Sequence, residues 1–252
     1  MALLAKPAGG LQMGKRLFAP PWLIRLHLGA PGRILYITDL HLRREHPEAL
    51  ENLISACRGT RPELIILGGD LTEYDGGLAE TLSALRKGFP GTPMYAVPGN
   101  NDDAVLGGDR AAQTRVYREF SCCYLTDRGE MLLLNGRPVE IFGTEDAYSH
   151  AYRTEDHFSQ PSAYHILVSH APHADLARAG ADLMLCGHTH GGQINALGIT
   201  CYLLIRYEKR FRYACLAGRK KIGRTELVVS RGIGYSKFPL RIMARSEVYL
   251  ID

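Results

Sequence analysis

Five short apolar runs in this chain each lead, within a few residues, to side chains that can bind a metal. Ile34-Leu35-Tyr36-Ile37-Thr38 runs into Asp39-Leu40-His41, and Leu64-Ile65-Ile66-Leu67 into Gly68-Gly69-Asp70. Tyr95-Ala96-Val97 leads to Gly99-Asn100-Asn101-Asp102, and Ile166-Leu167-Val168-Ser169 to His170. Leu183-Met184-Leu185-Cys186 ends in Gly187-His188-Thr189-His190. Carboxylate, carboxamide and imidazole groups delivered together suit a hard-to-borderline divalent cation better than a nucleophile triad. Each has an ordinary reading when taken alone. An Asp or Asn after a strand is commonly a turn or cap residue, and a loop His commonly bonds to backbone. The order and spacing of all five blocks are what point to a metal site.

For these groups to meet, the runs must be neighbouring strands. Apolar runs of this length, separated by helical patterns, read as strands of a sheet covered on both faces. Ligands gather beyond the strand ends of such sheets. Asp39 and His41 lie at i, i+2, as do His188 and His190, which would project each pair to one side if extended geometry persists past the strand. Glycines before Asp70 and around His188 and His190 allow tight loops and close backbone approach.

Helical patterns fill the gaps. Pro47-Glu48 opens one, with Leu50, Leu53, Ile54 and Cys57 as its apolar face before Gly59. Residues 77–87 give a second, with Leu78, Leu82 and Leu85 inward. Residues 109–120 give a third, with Val116 and Phe120 as the apolar pair, and 172–179 a short fourth closed by Gly180. From Cys122 onward the pattern changes. Asn135-Gly136 between two apolar runs is a hairpin signal. Residues 199–205, 225–230 and 247–251 read as later strands, and Trp22 to Leu28 as an early one joined by Gly29-Ala30-Pro31-Gly32 to the strand at Arg33. One domain with a mixed sheet pair and outer helices is the economical assignment. It divides into an extension and first strand (1–32), the metal-binding blocks (33–193), and C-terminal strands with a basic segment (194–252).

Composition sets the frame. At 252 residues, 46% hydrophobic and 22% charged, the chain is ordinary for a globular protein with a substantial core. A net charge of +4 favours anionic partners without naming one. The six cysteines show no C-x-x-C spacing, and scattered thiols predict a reduced, cytosolic protein without cysteine-bound zinc. No run approaches the ~20 apolar residues of a membrane helix, and the proline-interrupted amino end lacks the apolar centre of a secretory signal.

The five blocks D-x-H, G-D, G-N-x-D, a histidine after a strand, and G-H-x-H, in this order from Asp39 to His190, resemble those of the calcineurin-like metallophosphoesterases. Gly187-His188-Thr189-His190-Gly191-Gly192-Gln193 and the tail Val229-Ser230-Arg231-Gly232-Ile233-Gly234 with Pro239-Leu240-Arg241-Ile242 resemble a bacterial, often membrane-associated subgroup. That subgroup includes phosphodiesterases and UDP-2,3-diacylglucosamine pyrophosphatases of lipid A synthesis. The resemblance implies an α/β fold: a four-layer α-β-β-α sandwich of two mixed sheets flanked by helices. It implies a first metal held by Asp39, His41 and His190, a second by Asn100, His170 and His188, and Asp70 bridging both. Two cations ~3.5–4 Å apart can share one phosphate, and a hydroxide between them becomes the nucleophile. Four imidazoles favour manganese, iron, zinc or cobalt over magnesium, with manganese the first choice. Asp70 and His188 are the expected catalytic residues beside Asn101.

Asn101 departs from the family pattern. Many members carry a histidine there, which can protonate the leaving oxygen. Asparagine can donate a hydrogen bond but transfers no proton at neutral pH. A diester or diphosphate, whose leaving group is already stabilised, loses less by this than a monoester. Asp102, left without that histidine, is expected to cap the following helix.

Arg206, Lys209, Arg210, Arg212, Arg219, Lys220, Lys221 and Arg224 crowd one stretch, interleaved with Tyr202, Tyr207, Phe211 and Tyr213. A solvated hairpin face is one reading. A patch for anionic lipid or a nucleotide diphosphate is another, and single-stranded nucleic acid a third. Arg210, Arg212, Lys220, Lys221 and Arg241 are the candidate substrate contacts, with Lys237 and Phe238 near the same rim. His173 is expected at the surface, Cys186 in the core, and His150 and His157 carry no spacing argument. The expectation is a cytoplasmic enzyme, peripheral at the inner membrane face, that hydrolyses a phosphodiester or diphosphate, such as a lipid- or nucleotide-linked one. A phosphomonoesterase, a nuclease and a non-catalytic scaffold are the alternatives. Asn101 speaks against the first, the missing nucleic-acid module against the second, and the intact ligand set against the third.

Overall fold

The runs at Ile34–Ile37, Leu64–Leu67 and Leu183–Cys186 are buried at every position, as strands covered on both faces must be. The structure is a computed structural model that describes residues 11–13, 20–43, 48–73, 77–145, 157–195, 214–236 and 239–252, with backbone only at 11–13 and 104–106. In chain order its elements are β1 (Leu11–Met13), β2 (Trp22–Leu26), β3 (Ile34–Ile37), α1 (Glu48–Cys57), β4 (Leu64–Leu67), α2 (Leu78–Gly88) and β5 (Met94–Ala96). Then come α3 (Asn100–Leu106), α4 (Arg110–Glu119), β6 (Cys122–Tyr124), β7 (Arg128–Leu134), β8 (Arg137–Gly143) and β9 (Tyr164–Val168). The last are β10 (Leu183–Cys186), β11 (Gly218–Ile222), β12 (Thr225–Val229), β13 (Leu240–Ile242) and β14 (Glu247–Ile251).

Two six-stranded mixed sheets result, ordered β2-β14-β3-β4-β5-β6 and β11-β12-β10-β9-β8-β7, while β1 pairs with β13 alone. Strands β3 to β6 run parallel, as do β8, β9, β10 and β12. Alternation along the strands assigns the faces. Ile34, Tyr36, Leu64 and Ile66 meet Val139, Ile141, Ile166, Leu183 and Val228 between the sheets. Leu35, Ile37, Ile65 and Leu67 face Leu50, Leu53 and Cys57 of α1 and Leu78, Leu82 and Leu85 of α2. The chain is thus two packed mixed sheets with flanking helices in a single domain. Over the outer face of the second sheet, Leu176 and Ala177 of a short 3-10 turn cover Phe142, Leu167, Met184 and Leu227.

The expected elements stand where periodicity was strong, and differences have local causes. In α4 the buried residues are Gln113 and Tyr117, with Val116 and Phe120 only partly buried beside them. Tyr117 stacks on Tyr124 of β6 at 4.4 Å, and the Tyr124 hydroxyl donates to Gln113 Oε1 at 2.7 Å, so an aromatic stack orients this helix. The expected helix at 172–179 is only the 3-10 turn Leu176–Arg178, since the interval between Pro172 and Gly180 is too short to propagate a helix. Asn135 (φ 50°) and Gly136 (φ 76°) make the primed turn that closes the β7–β8 hairpin at Leu134 and Arg137. The strands at Trp22 and Ile34 do not pair with each other, because β14 lies between them. The expected strand at 199–205 lies outside the described residues. Cys57, Cys122, Cys123, Cys186 and Cys215 are free thiols, and Cys186 is in the core as expected. Among the described residues no helix is long and apolar enough to cross a membrane.

Because β14 is interior, the fold depends on it. Val248, Tyr249, Leu250 and Ile251 are all buried, each worth about 1.5–3 kcal/mol, which together rival the roughly 5–15 kcal/mol that hold a domain. Removing Glu247–Asp252 should therefore abolish cooperative unfolding in a circular-dichroism melt. A truncated chain melting within a few degrees of the full one would contradict this topology.

Candidate metal centre

Every candidate ligand follows the carboxyl end of a strand within one of the two parallel runs: Asp39 and His41 after β3, Asp70 after β4, Asn100 after β5, His170 after β9, and His188 and His190 after β10. Packed face to face, the two sheets bring these ends together at one edge. The backbone there is not extended, contrary to the geometry expected for the i, i+2 pairs. Asp39, His41, Asp70, His188 and His190 have φ of 50°, 45°, 52°, 68° and 50°, in the left-handed region. Such strain in non-glycine residues gathers where a site dictates side-chain direction. Backbone bonds between adjacent loops hold it, with Asp39 N–H donating to Gly69 O and His41 N–H to Asp70 O, both at 3.0 Å. The approach is close enough to demand glycine: a Cβ on Gly99 would lie 2.1 Å from Asp70 N, and one on Gly232 2.4 Å from Asp39 Cβ.

The donor atoms converge. Asp39, His41 and His190 offer ligand atoms within 4.8 Å of one another, and so do Asp39, Asp70 and His170. His41 Nε2 lies 3.1 Å from His190 Nε2 and 3.6 Å from Asp70 Oδ2. His170 Nε2 is 3.3 Å from Asp70 Oδ2, and His190 Nε2 is 3.5 Å from Asp39 Oδ1. His188 Nδ1 meets Asn100 Oδ1 at 3.0 Å. The far nitrogens of two rings are engaged as metal-ligating histidines usually are: His41 Nδ1 on Glu73 Oε2 at 3.1 Å, and His170 Nδ1 on Gly68 O at 2.7 Å. Glu73, which also accepts from Arg43 at 3.1 Å, carried no signal in the sequence. Its role appears only when the loops after β3 and β4 pair.

Electrostatics fit a cation. Burial works to raise the Asp70 carboxyl, but His170, His41 and the Asn101 N–H outweigh it and hold it well below the usual carboxylate range. Burial and neighbouring Asp70 raise Asp39, against His170 and His41. Burial and His170 push His188 down to about 3, and burial, His41 and Arg241 push His190 well below its ordinary value. Burial works to lower His41, but its bond to Glu73 and the charges of Asp70 and Asp39 outweigh it and raise it. Neutral His188 and His190 beside buried carboxylates are lone-pair donors around negative charge, the donor set a borderline divalent ion takes.

Other expectations are revised. Asp102 does not cap a following helix. It sits inside α3, fully buried, and accepts from Asp70 N at 2.8 Å, Leu71 N at 2.9 Å and Thr72 N at 3.3 Å. Burial and Asp70 push its carboxyl up to about 7. Asn101 donates from its backbone to Asp70 Oδ1 at 2.8 Å and from its side chain to Oδ2 at 2.7 Å. His173 is buried rather than at the surface, close enough to His188 to depress it, and His157 packs edge-on against Phe142 at 4.9 Å. Arg210 and Arg212, with Arg206, Lys209, Tyr202, Tyr207, Phe211, Tyr213, Lys237, Phe238 and His150, lie outside the described residues. Lys220 and Lys221 stand opposite Leu227 and Glu226, level with Met184 and Leu183, so their register carries them away from the strand end bearing His188. Lys220 Nζ donates to Ala214 O at 2.8 Å, and Lys221 Nζ lies 3.6 Å from Glu226. Arg241 is 0% exposed, so it is no substrate contact at a rim; its guanidinium meets His190 Nδ1 at 3.0 Å.

Residues 32–192 match the calcineurin-like phosphoesterase family. This chain belongs to that family. The metallophosphoesterase YkoQ of Bacillus subtilis, itself uncharacterized, is 30% identical over 232 residues, 87% of this chain and 84% of YkoQ. The phosphodiesterase YaeI of Escherichia coli is 28% identical over 231 residues, 88% of this chain and 82% of YaeI. The crystal structure of TT1561 of Thermus thermophilus aligns over 84% of this chain and 94% of that one with TM-score 0.51 at 13% identity, a likeness of fold. As a family member the chain is a metal-dependent phosphoester hydrolase, and its candidate ligand groups are those the fold brings together.

Two variants probe this centre. Asp70→Asn should lower both the number and the affinity of bound Mn2+ more than any other single ligand change, as read by metal analysis after loading. Equal loss from every ligand variant would deny Asp70 a shared role. Asp102→Ala strips the acceptor from three buried N–H groups, each worth about 1–3 kcal/mol, so urea unfolding should show a loss of roughly 3 kcal/mol or more, with Asp102→Asn losing less.

Proposed function

We propose that this enzyme cleaves phosphodiester or diphosphate bonds in preference to phosphomonoesters. The observation that carries this reading is Asn101. Asp39, His41, Asp70, His170 and His190 are buried, whereas Asn100, Asn101 and His188 are half-buried and form the open side of the cluster. A phosphoryl group entering there meets Asn101 next to the leaving oxygen. The amide can donate a hydrogen bond and can give no proton. Its bond to Asp70 also anchors the carboxylate between the two ion pockets.

Asp39, His41, Asp70 and His190 would hold one divalent ion, and Asp70, Asn100, His170 and His188 the other, with manganese our first choice for this nitrogen-rich set. Bound there, such ions activate water and polarise the phosphoryl oxygen. The chain's own part is to keep His188 and His190 neutral and Asp70 ionised. His188, at the open side, is placed to meet the phosphate. With no proton donor at Asn101, the substrate must carry its own stable leaving group. Within that class we propose a lipid- or nucleotide-linked phosphodiester or diphosphate, such as UDP-2,3-diacylglucosamine. The glycine-rich His188 loop and the tail, which resemble the subgroup acting on such compounds, support it. The free thiols support a reducing, cytoplasmic setting.

Bis-p-nitrophenyl phosphate should turn over faster than p-nitrophenyl phosphate in the Mn2+-loaded protein. Asn101→His should raise monoester turnover by about 10-fold or more, a part of the roughly 10²–10⁴ a well-positioned acid can supply. A wild-type enzyme already faster on the monoester would sink this reading.

A further inference from the structure

The edge of the molecule opposite the metal centre gathers cations. Strands β3, β4 and β5 are parallel, so the turns from α1 into β4 and from α2 into β5 lie side by side at the strands' amino ends. The helices touch there: a Cβ on Gly88 would meet Ile54 Cδ1 at 3.1 Å. Between the two turns is a cavity of about 540 Å3 lined by Arg58, Arg61 and Lys87, with Ile54, Phe89 and Pro90 among its apolar walls.

No carboxylate answers these charges. Among the described residues the side chains of Arg58, Arg61 and Lys87, all exposed, make no hydrogen bond or ion pair. Glu63, two residues from Arg61, is taken by Arg33, whose N–H donates to it at 2.8 Å and whose guanidinium lies 3.6 Å away. Glu51 shares a face of α1 with Arg58 but stands seven residues up the helix, about 10 Å away. The ordinary task of a cation at a helix carboxyl end is to offset that end's partial charge, about half an elementary charge. Two helix ends therefore account for about one of the three charges and leave roughly two uncancelled. A phosphate dianion cancels that excess, and arginine and lysine are the side chains that bind it. The cavity is roomier than a bare phosphate, and its apolar walls suit the body that carries one. We propose that the ends of α1 and α2 form an accessory site for a phosphate group, presented by a soluble phosphate ester or by a lipid headgroup. It lies apart from the metal centre, and its cations take no part in the reaction.

Two probes distinguish the sources: inorganic phosphate, and phosphatidylcholine vesicles with and without phosphatidylglycerol. At low salt, calorimetry on the Mn2+-loaded full chain should show phosphate binding that weakens about 10-fold or more in the triple variant Arg58→Gln, Arg61→Gln, Lys87→Gln. If a lipid headgroup is the natural source, wild type should sediment with phosphatidylglycerol vesicles and the triple variant should not. Loss of either interaction in the triple variant supports the site and names the source. Turnover of bis-p-nitrophenyl phosphate should stay within about twofold of wild type. Without phosphate the triple variant should melt no lower than wild type, since it removes like-charge repulsion, and Arg61→Gln alone, expected to weaken phosphate about threefold, serves if the triple variant does not fold. A control with the same charge loss elsewhere, Arg25→Gln, Arg115→Gln, Arg178→Gln, should bind both probes as wild type does. Equal weakening in that control reduces the effect to net charge and overturns the proposal. So does a triple variant that binds both probes as tightly as wild type, or a wild type that binds neither.

Discussion

Two carboxylates buried side by side are the constraint around which this molecule is arranged. Asp39 and Asp70 are 0% and 2% exposed, and each raises the energy of the other's charge. Burying an ionised carboxylate is costly unless hydrogen bonds and opposite charge compensate. Compensation here comes from backbone N–H groups and neutral side-chain donors. Asp39 accepts from His188 N–H at 3.0 Å and from the Thr38 hydroxyl at 2.8 Å, while Asp70 takes two donors from Asn101. Imidazoles fill the remaining directions. Two carboxylates still converge on the same donor atoms, and a divalent cation would balance them.

That balance dictates the backbone. Only turns in the left-handed region let one residue after β3 and another after β4 aim their carboxylates at the same point while their own N–H groups bond across to the next loop. Glycine at 99 and 232 removes the side chains that would keep those loops apart. The tail then closes the arrangement from the other side: Ile233 and Gly234 donate to Asp39 O, and β14 brings Glu247 to hold Arg231. The distant end of the chain is thus part of the pocket wall.

What was legible in the sequence follows from what is local. Buried strands, two amphipathic helices, the Asn135-Gly136 turn and the ligand residues announce themselves by run length, period or residue type. Asp102 does not, because its partners are three backbone N–H groups on a loop after another strand. Lys220, Lys221 and Arg241 were read alike as basic residues near a rim. Only register separates the lysines from the site, and it takes carbonyls from the loops on both sides of β13 to satisfy Arg241 as a buried group. The left-handed turns were invisible for a similar reason. Asp and His tolerate the extended and the left-handed conformation, and tertiary bonds choose between them.

Asn101 shows how stability and chemistry share one position. Its amide gives Asp70 a short, well-aimed hydrogen bond, and the α3 backbone beneath it gives a second. A histidine in its place would exchange the amide's anchor for a proton donor facing the leaving group. Asp70 would then be held by the backbone bond from position 101 and by its own N–H on Asp102 of α3. On the proposed two-ion reading, a carboxylate held still between the ions would gain from the amide, and the site would need the histidine only when the leaving group cannot depart unaided. On the proposed preference for diesters and diphosphates, the asparagine would reflect the substrate's leaving group as much as the protein, and the half-buried side of the pocket, rather than its buried ligands, would set the selectivity.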